Sequence, residues 1–297
     1  MIPLQYKLLV AVVALGAAFP ASAQPVAAPI TPEQIATIIA SPDRSVADRT
    51  NDRRRKPAEM LEFIAIRPGS VALDLSAAGG YTTELLARAA GPAGTVYGQS
   101  QPRDPNRPVT PPAAPEGNSN PTIAPSASPA ASPAAAPTTP PAAPRTSPVA
   151  LADRDGKLKS AGIAAAPIVA VSRPFADPVP PELADQRIDL ATLMFNYHDL
   201  GHMGVDRAAM NRAVFRALKP GGTYVIADHA GRPGTGISEA GTLHRIEETF
   251  LRQEVEAAGF RLVAEANFLR NPNDPRDKNT PDPPQPKDEF VFKFVKP

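Results

Sequence analysis

Val71-Ala-Leu-Asp-Leu-Ser-Ala-Ala-Gly-Gly-Tyr81 decides how the rest of this chain is read. Val71 to Leu75 is a short apolar run broken only by Asp74, the pattern of a strand buried on both faces of a parallel sheet. Ser76 to Gly80 is a turn of small residues, and a helix is expected over 81–90. Strand, small turn and helix together suit a nucleoside cofactor, because backbone N–H groups at the helix start can approach the ligand.

Working outward, the same alternation continues. Thr31-Pro-Glu-Gln-Ile35 reads as a helix start with an N-cap Thr and Pro at the first position, and Pro57 opens another helix with Met60, Leu61 and Ile64 on one face. Further strands are expected over 95–98, 166–171, 188–195, 223–227, 261–265 and 289–295. Asp206 caps a helix whose Met210, Val214 and Leu218 recur every four residues. Pro220-Gly221-Gly222 should stop it, and a longer helix is expected over 242–258, ending at Gly259. Phe290, Phe292 and Phe294 share one face of the last strand, which has no helix before it and so reads as antiparallel. Strands alternating with helices predict a mostly parallel sheet covered on both faces.

Two stretches stand outside that pattern. Lys7, an apolar run over 8–19 and Ala21-Ser-Ala23 form a secretory signal, whose cleavage leaves Gln24 first and sends the chain to the periplasm or beyond. No later segment approaches the roughly 20 apolar residues of a membrane span. Residues 101–148 are dominated by Pro, Ala, Ser and Thr, with too little apolar bulk to offset their conformational entropy, and read as a disordered insertion. The expected organisation is a leader (1–23), a helical segment (24–56) and one α/β domain (57–297) interrupted by that insertion.

Composition narrows the partners. A net charge of +1 argues against nucleic acid. With 0 Cys, stability must come from a core rather than disulfides. Four His at no convincing ligand spacing predict no metal centre.

Taken with Leu218-Lys-Pro-Gly-Gly222 and Ala257-Ala-Gly-Phe260, the segment at 71–81 resembles class I methyltransferases that use S-adenosylmethionine (SAM). More closely, it resembles a bacterial family of predicted methyltransferases with export signals. The resemblance covers residues 57–100 and 188–297. It implies a Rossmann-like, doubly wound, seven-stranded α/β sheet whose last strand is antiparallel between the fifth and sixth. It also implies SAM as cofactor, bound by Asp74 and by the positions of three alternating glycines, here Ser76, Ala78 and Gly80, with Gly79 between. The family's ribose-binding acid after the second strand is replaced by Tyr97-Gly-Gln-Ser100, where Gln99 or Ser100 could make a neutral hydrogen bond instead.

Asn196-Tyr-His-Asp199 ends the fourth strand, where open α/β sheets face their ligand, and the resembling family carries the same tetrad. His198 is a candidate general base, with Asp199 to orient it and Asn196 to position an acceptor. The same residues could equally cap the helix that follows. His229, after Asp228 at the end of the fifth strand, is a second candidate base. Three other features stand apart. Arg53-Arg-Arg-Lys56 reads as a solvated charged face, with an anionic substrate or membrane headgroups as the alternative. His244 reads as a surface or interhelix residue, and the loop with Asn271-Pro-Asn-Asp-Pro275 and Pro281-Asp-Pro-Pro284 could serve as a lid without chemistry of its own. Two functions follow: an exported SAM-dependent methyltransferase of unknown acceptor, or a non-catalytic envelope binding protein on a degenerate methyltransferase fold. The missing glycines and the missing acid favour the second, and the tetrad favours the first.

Overall fold

Strand β1 (Val71–Leu75) lies inside a seven-stranded sheet of order β3-β2-β1-β4-β5-β7-β6. Its neighbours are β2 (Thr95–Ser100) and β4 (Ile188–Met194), both parallel to it, and β3 (Ile168–Ser172) and β5 (Leu218–His229) extend the parallel part. β7 (Glu289–Val295) is antiparallel to both β5 and β6 (Arg261–Ala266) and sits between them. This is the sheet of the class I methyltransferase type. The computed structural model describes residues 27–102, 146–281 and 285–297. The expected leader and most of the expected insertion lie outside those residues.

Two apolar layers flank the sheet. On one side α1 (Pro32–Ala40), α3 (Pro57–Ile64), α4 (Tyr81–Ala90) and α5 (Ser147–Ser160) bury Ile35, Leu61, Leu86 and Leu151 against Ala72 and Val96. On the other, after the short α6 (Asp199–His202), α7 (Arg207–Ala217) and α8 (Glu248–Glu256) bury Met210, Val214 and Leu251 against Leu73 and the Phe290, Phe292 and Phe294 side chains. The three phenylalanines share a face because strand side chains alternate, while Val291 enters the opposite layer. Each such buried ring contributes about 1.5–3 kcal/mol. No helix among the described residues is long and apolar enough to cross a membrane.

Several elements depart from expectation. Helix α8 begins at Glu248, not near 242. Residues 242–245 turn instead, His244 adopts φ 51°, and Ile246 bridges Ala230 in parallel. The cause is tertiary. Arg245 is fully buried, paired with Asp274 at 2.9 Å and donating to the carbonyl of Ala230 at 3.0 Å, which pulls this segment out of any helix. The same Asp274 accepts from the Asp288 backbone N–H at 2.6 Å, so the loop after β6 is tied down at both ends and is not a free lid. Strand β5 starts at Leu218, taking in Pro220-Gly-Gly222, with a register shift against β4 that absorbs the turn.

Two helices were not individually expected, although the second lies within the expected helical segment 24–56. α5 buries only Leu151 and Leu158, one side chain every two turns, too sparse for a legible stripe. α2 (Val46–Arg55) is polar after its first two residues, and its only buried residue is Asp48. Its start does carry a local signal, because the Ser45 hydroxyl accepts from the Asp48 N–H as an N-cap.

Candidate functional site

Asp74, near the C-terminal end of β1, is 2% exposed, and both its oxygens are engaged. Thr83 Oγ1 donates to one at 2.6 Å and Thr192 Oγ1 to the other at 2.7 Å. Burial pushes its pKa up to about 6, against the lowering effect of the two hydroxyls and of Arg55. The turn that follows keeps a left-handed backbone without its glycines: Ser76 has φ 55° and Ala78 φ 47°. Ser76 also spends its hydroxyl on Asn196 Oδ1 at 2.5 Å. Gly80 is needed for two reasons. Its φ is 79°, and a Cβ there would stand 2.7 Å from Leu151 and 2.8 Å from Arg154, both on α5.

Gln99 does not face a ligand. Its carbonyl accepts from the Ser76 N–H at 3.1 Å and its amide donates to the Arg173 carbonyl at 2.7 Å, so it stitches the turn to β2. Ser100 Oγ, next along, is buried with no hydrogen-bond partner.

The turn opens into a cleft of about 410 Å³, whose lining includes Asp74, Ser76, Ala78, Gly79, Arg55 and Asn196. Its far wall is α2. Arg154 ties that helix down by donating to Asp48 at 2.8 Å, to Glu84 and to the Gly79 carbonyl, and the Tyr81 hydroxyl donates to Asp52 at 2.7 Å. The basic run at 53–56 is therefore only in part a solvated face, with Arg53 and Lys56 exposed. Successive residues on the last turn of α2 point about 100° apart, so Arg53 faces solvent while Arg54 and Arg55 turn inward. Arg54 pairs with Glu289 at 2.7 Å. Arg55 lies 4.1 Å over the Phe195 ring, and no carboxylate pairs with it among the described residues. Burial, then the neighbouring Arg54 charge, pulls its pKa down to about 10. The Arg-rich run could have been read this way only by first recognising α2.

Behind Asn196 the chain gathers its four histidines. The His198 ring centroid is 5.2 Å from that of His229 and 5.6 Å from that of His244, and the His202 ring is 6.0 Å from His244. His198 is 1% exposed. Its Nδ1 is 2.6 Å from Asp228 Oδ1, and the other Asp228 oxygen accepts from the His198 backbone N–H at 2.8 Å. Burial opposes a charge on this ring, but Asp228 and Asp199 outweigh it and lift the pKa to about 10. Asp199 meets an opposing pair of effects: burial raises its carboxyl, while His198 and His244 hold it down at about 2. His229 is 2% exposed, and burial, then the charges of Lys287 and His198, pushes its pKa well below 6.5.

Of the ten anticipated site residues, Asp74, Ser76, Ala78, Gly79 and Asn196 line the cleft. Gly80 and Ser100 lie just outside its lining. His198, Asp199 and His229 form a second row, joined to the cleft through Asn196 Nδ2, which donates to Asp199 Oδ2 at 2.6 Å. His198 therefore stands as a cation between two carboxylates, not as a free base, and His229 is enclosed beside Glu289 at 3.0 Å. His244 is part of this cluster and not a helix-surface residue. His198 and His202 are four residues apart in sequence, and the fold brings His229 and His244 beside them.

Left-handed alanine costs about 1–2 kcal/mol, so Ala78→Gly should leave stability unchanged or raise it by up to about 1 kcal/mol once the larger unfolded-state entropy is counted. Urea unfolding measures this. A loss of about 1 kcal/mol, the usual penalty for such a change, would contradict the strain.

No protein-family model matches the chain, and no curated protein matches it by sequence. Solved structures do resemble it. A SAM dependent methyltransferase from Aquifex aeolicus superposes with a TM-score of 0.50 at 13% identity, over 90% of this chain and 100% of that one. The [4+2]-cyclase SpnF gives 0.48 at 14% identity, over 87% and 86%. The YcgJ protein from Bacillus subtilis gives 0.47 at 11% identity, over 80% and 96%. At such identities the likeness is one of fold.

Proposed function

We propose that this chain is a SAM-dependent methyltransferase whose cofactor lies in the cleft beside β1. The observation that carries the reading is one pair of charges in that cleft. Asp74 is a buried carboxylate held by two hydroxyls, and Arg55 is a guanidinium without a carboxylate of its own. The amino-acid end of SAM is an ammonium and a carboxylate, and each asks for one opposite charge. A cleft of about 410 Å³ falls within the usual range for small-molecule sites.

When bound, SAM would supply an activated methyl group on a sulfonium. The protein's part is to hold both reactants, exclude water and align the acceptor atom. Asn196 is the tetrad member that reaches the cleft, and its amide is fixed at one end by Ser76 and at the other by Asp199. His198 and Asp199 act through it as positioning residues, and His229 packs behind them.

Titration calorimetry with S-adenosylhomocysteine on tag-free protein beginning at Gln24 tests the reading, with one site expected. An absence of heat at millimolar ligand would sink it. A non-catalytic binding protein on the same fold would then be the better account, and the strained Ser76 and Ala78 would fit that account. We further propose that the chain is exported, on the strength of the leader pattern at 1–23. N-terminal sequencing of periplasmic protein should read from Gln24; a full-length chain confined to the cytosol would overturn this.

A further inference from the structure

We propose that His198, Asp199 and His244 form a binding site for a divalent first-row transition-metal ion, placed behind Asn196 and independent of whether the cleft takes SAM. One donor atom from each residue falls within 4.8 Å of the other two. Asp199 Oδ1 is the shared corner, 3.2 Å from His198 Nε2 and 3.0 Å from His244 Nδ1. Ligand bonds of about 2.0–2.2 Å in a tetrahedral shell require donors roughly 3.4 Å apart, so an ion needs only small movements to enter, together with displacement of the proton that His198 Nε2 carries in the metal-free protein.

A second observation points the same way. His198 Nε2 is buried and has no hydrogen-bond partner; Asp199 is near it but outside hydrogen-bond geometry. Its Nδ1 is held at 2.6 Å by Asp228, which is itself fully buried. A carboxylate on one ring nitrogen of a histidine is the usual way to aim the other at a metal, because it fixes both the tautomer and the ring orientation. The site also has an entrance. The side chains of Asp199 and His244 are 23% and 28% exposed, and that of His202 is 42% exposed, with its Nδ1 3.8 Å from the same Asp199 oxygen, close enough to become a fourth ligand. Two imidazoles and one carboxylate suit zinc, cobalt, nickel or ferrous iron and discriminate against magnesium and calcium, which prefer all-oxygen shells.

The composition makes the test unusually clean. The chain has 0 Cys and 4 His, and all four histidines belong to this cluster, so no other site can offer nitrogen or sulfur side-chain ligands of the usual kind. Cobalt(II) should therefore be titrated into tag-free protein beginning at Gln24, without SAM or its analogues, and followed by visible absorption and by calorimetry.

The expected result is one equivalent bound with the intense bands of four- or five-coordinate cobalt, displaced by zinc. His244→Ala and Asp199→Asn should each weaken binding at least tenfold. Asp228→Asn, which does not touch the ion, should weaken it about 10- to 100-fold through the orientation of His198. Circular dichroism and unfolding midpoints identify any variant that fails to fold, and His244→Ala, at a half-exposed position, is the least exposed to that failure. Weak six-coordinate cobalt bands, no stoichiometric binding, or affinity unchanged in both His244→Ala and Asp199→Asn would overturn the proposal.

Discussion

Arg55→Met should weaken S-adenosylhomocysteine binding about 10- to 100-fold and leave the unfolding midpoint unchanged or slightly higher. The two effects have opposite sign because of what surrounds the guanidinium. It lies 4.1 Å over Phe195, whose ring also carries Arg54 at 4.9 Å, and burial together with that second cation already lowers its pKa to about 10. Holding an unpaired charge there works against folding. Methionine keeps the apolar contact with Phe195 and the wall of the cleft while removing the charge. A ligand carboxylate would lose one charge-assisted interaction, about 1.5–3 kcal/mol, and each 1.4 kcal/mol is a factor of ten in affinity. Lysine should restore part of that loss, because it returns the charge without the planar fork. Equal affinity in wild type and Arg55→Met would detach Arg55 from the cofactor. A large fall in the midpoint would mean that the guanidinium is a structural group.

What could be read before the structure was whatever a short window contains. The strand at 71–75, the small turn and the helix from Tyr81 to Ala90 are local, and they stand where expected. Thr31 caps α1 as expected, with Gln34 completing a capping box, and Asp206 caps α7. The antiparallel insertion of β7 came from resemblance, since alternating phenylalanines name a face but not a neighbour. What could not be read depends on distant partners. Arg55 matters because α2 folds over β1, and α2 is held there by Arg154 from beyond residue 145. Arg245 looked like part of a helix until Asp274 and the Ala230 carbonyl were seen to claim it. The histidine cluster draws on the segments after β4 and after β5 and on the end of β5 itself. Only the His198–His202 spacing of four was visible in advance, and it was a weak signal standing alone.

Asp74→Asn should stabilise the protein by up to about 3 kcal/mol at neutral pH and by almost nothing near pH 4. An ordinary aspartate has a pKa of 3.8; in the fold, burial raises that of Asp74 to about 6, against Thr83, Thr192 and Arg55, which favour the charged form. For an acid whose pKa rises on folding, the folded state holds the proton more tightly. Its contribution is therefore favourable below about pH 4, declines as pH climbs to about 6, and is fully lost above that. The gap between 3.8 and about 6 corresponds to about 3 kcal/mol. Asparagine cannot ionise, so it escapes this penalty, and the Thr83 and Thr192 hydroxyls can rotate to meet its amide, one as donor and one as acceptor. Urea unfolding of both proteins at several pH values between 4 and 7.5 isolates the effect, because all other titrating groups cancel in the difference. A difference that does not change with pH would mean that Asp74 ionises as it does in water. A growing difference would identify a carboxylate retained at a standing cost to stability, which is expected of a group kept for its ligand and not for the fold. The same substitution should also weaken S-adenosylhomocysteine, because a neutral amide cannot replace the charge that an ammonium group requires.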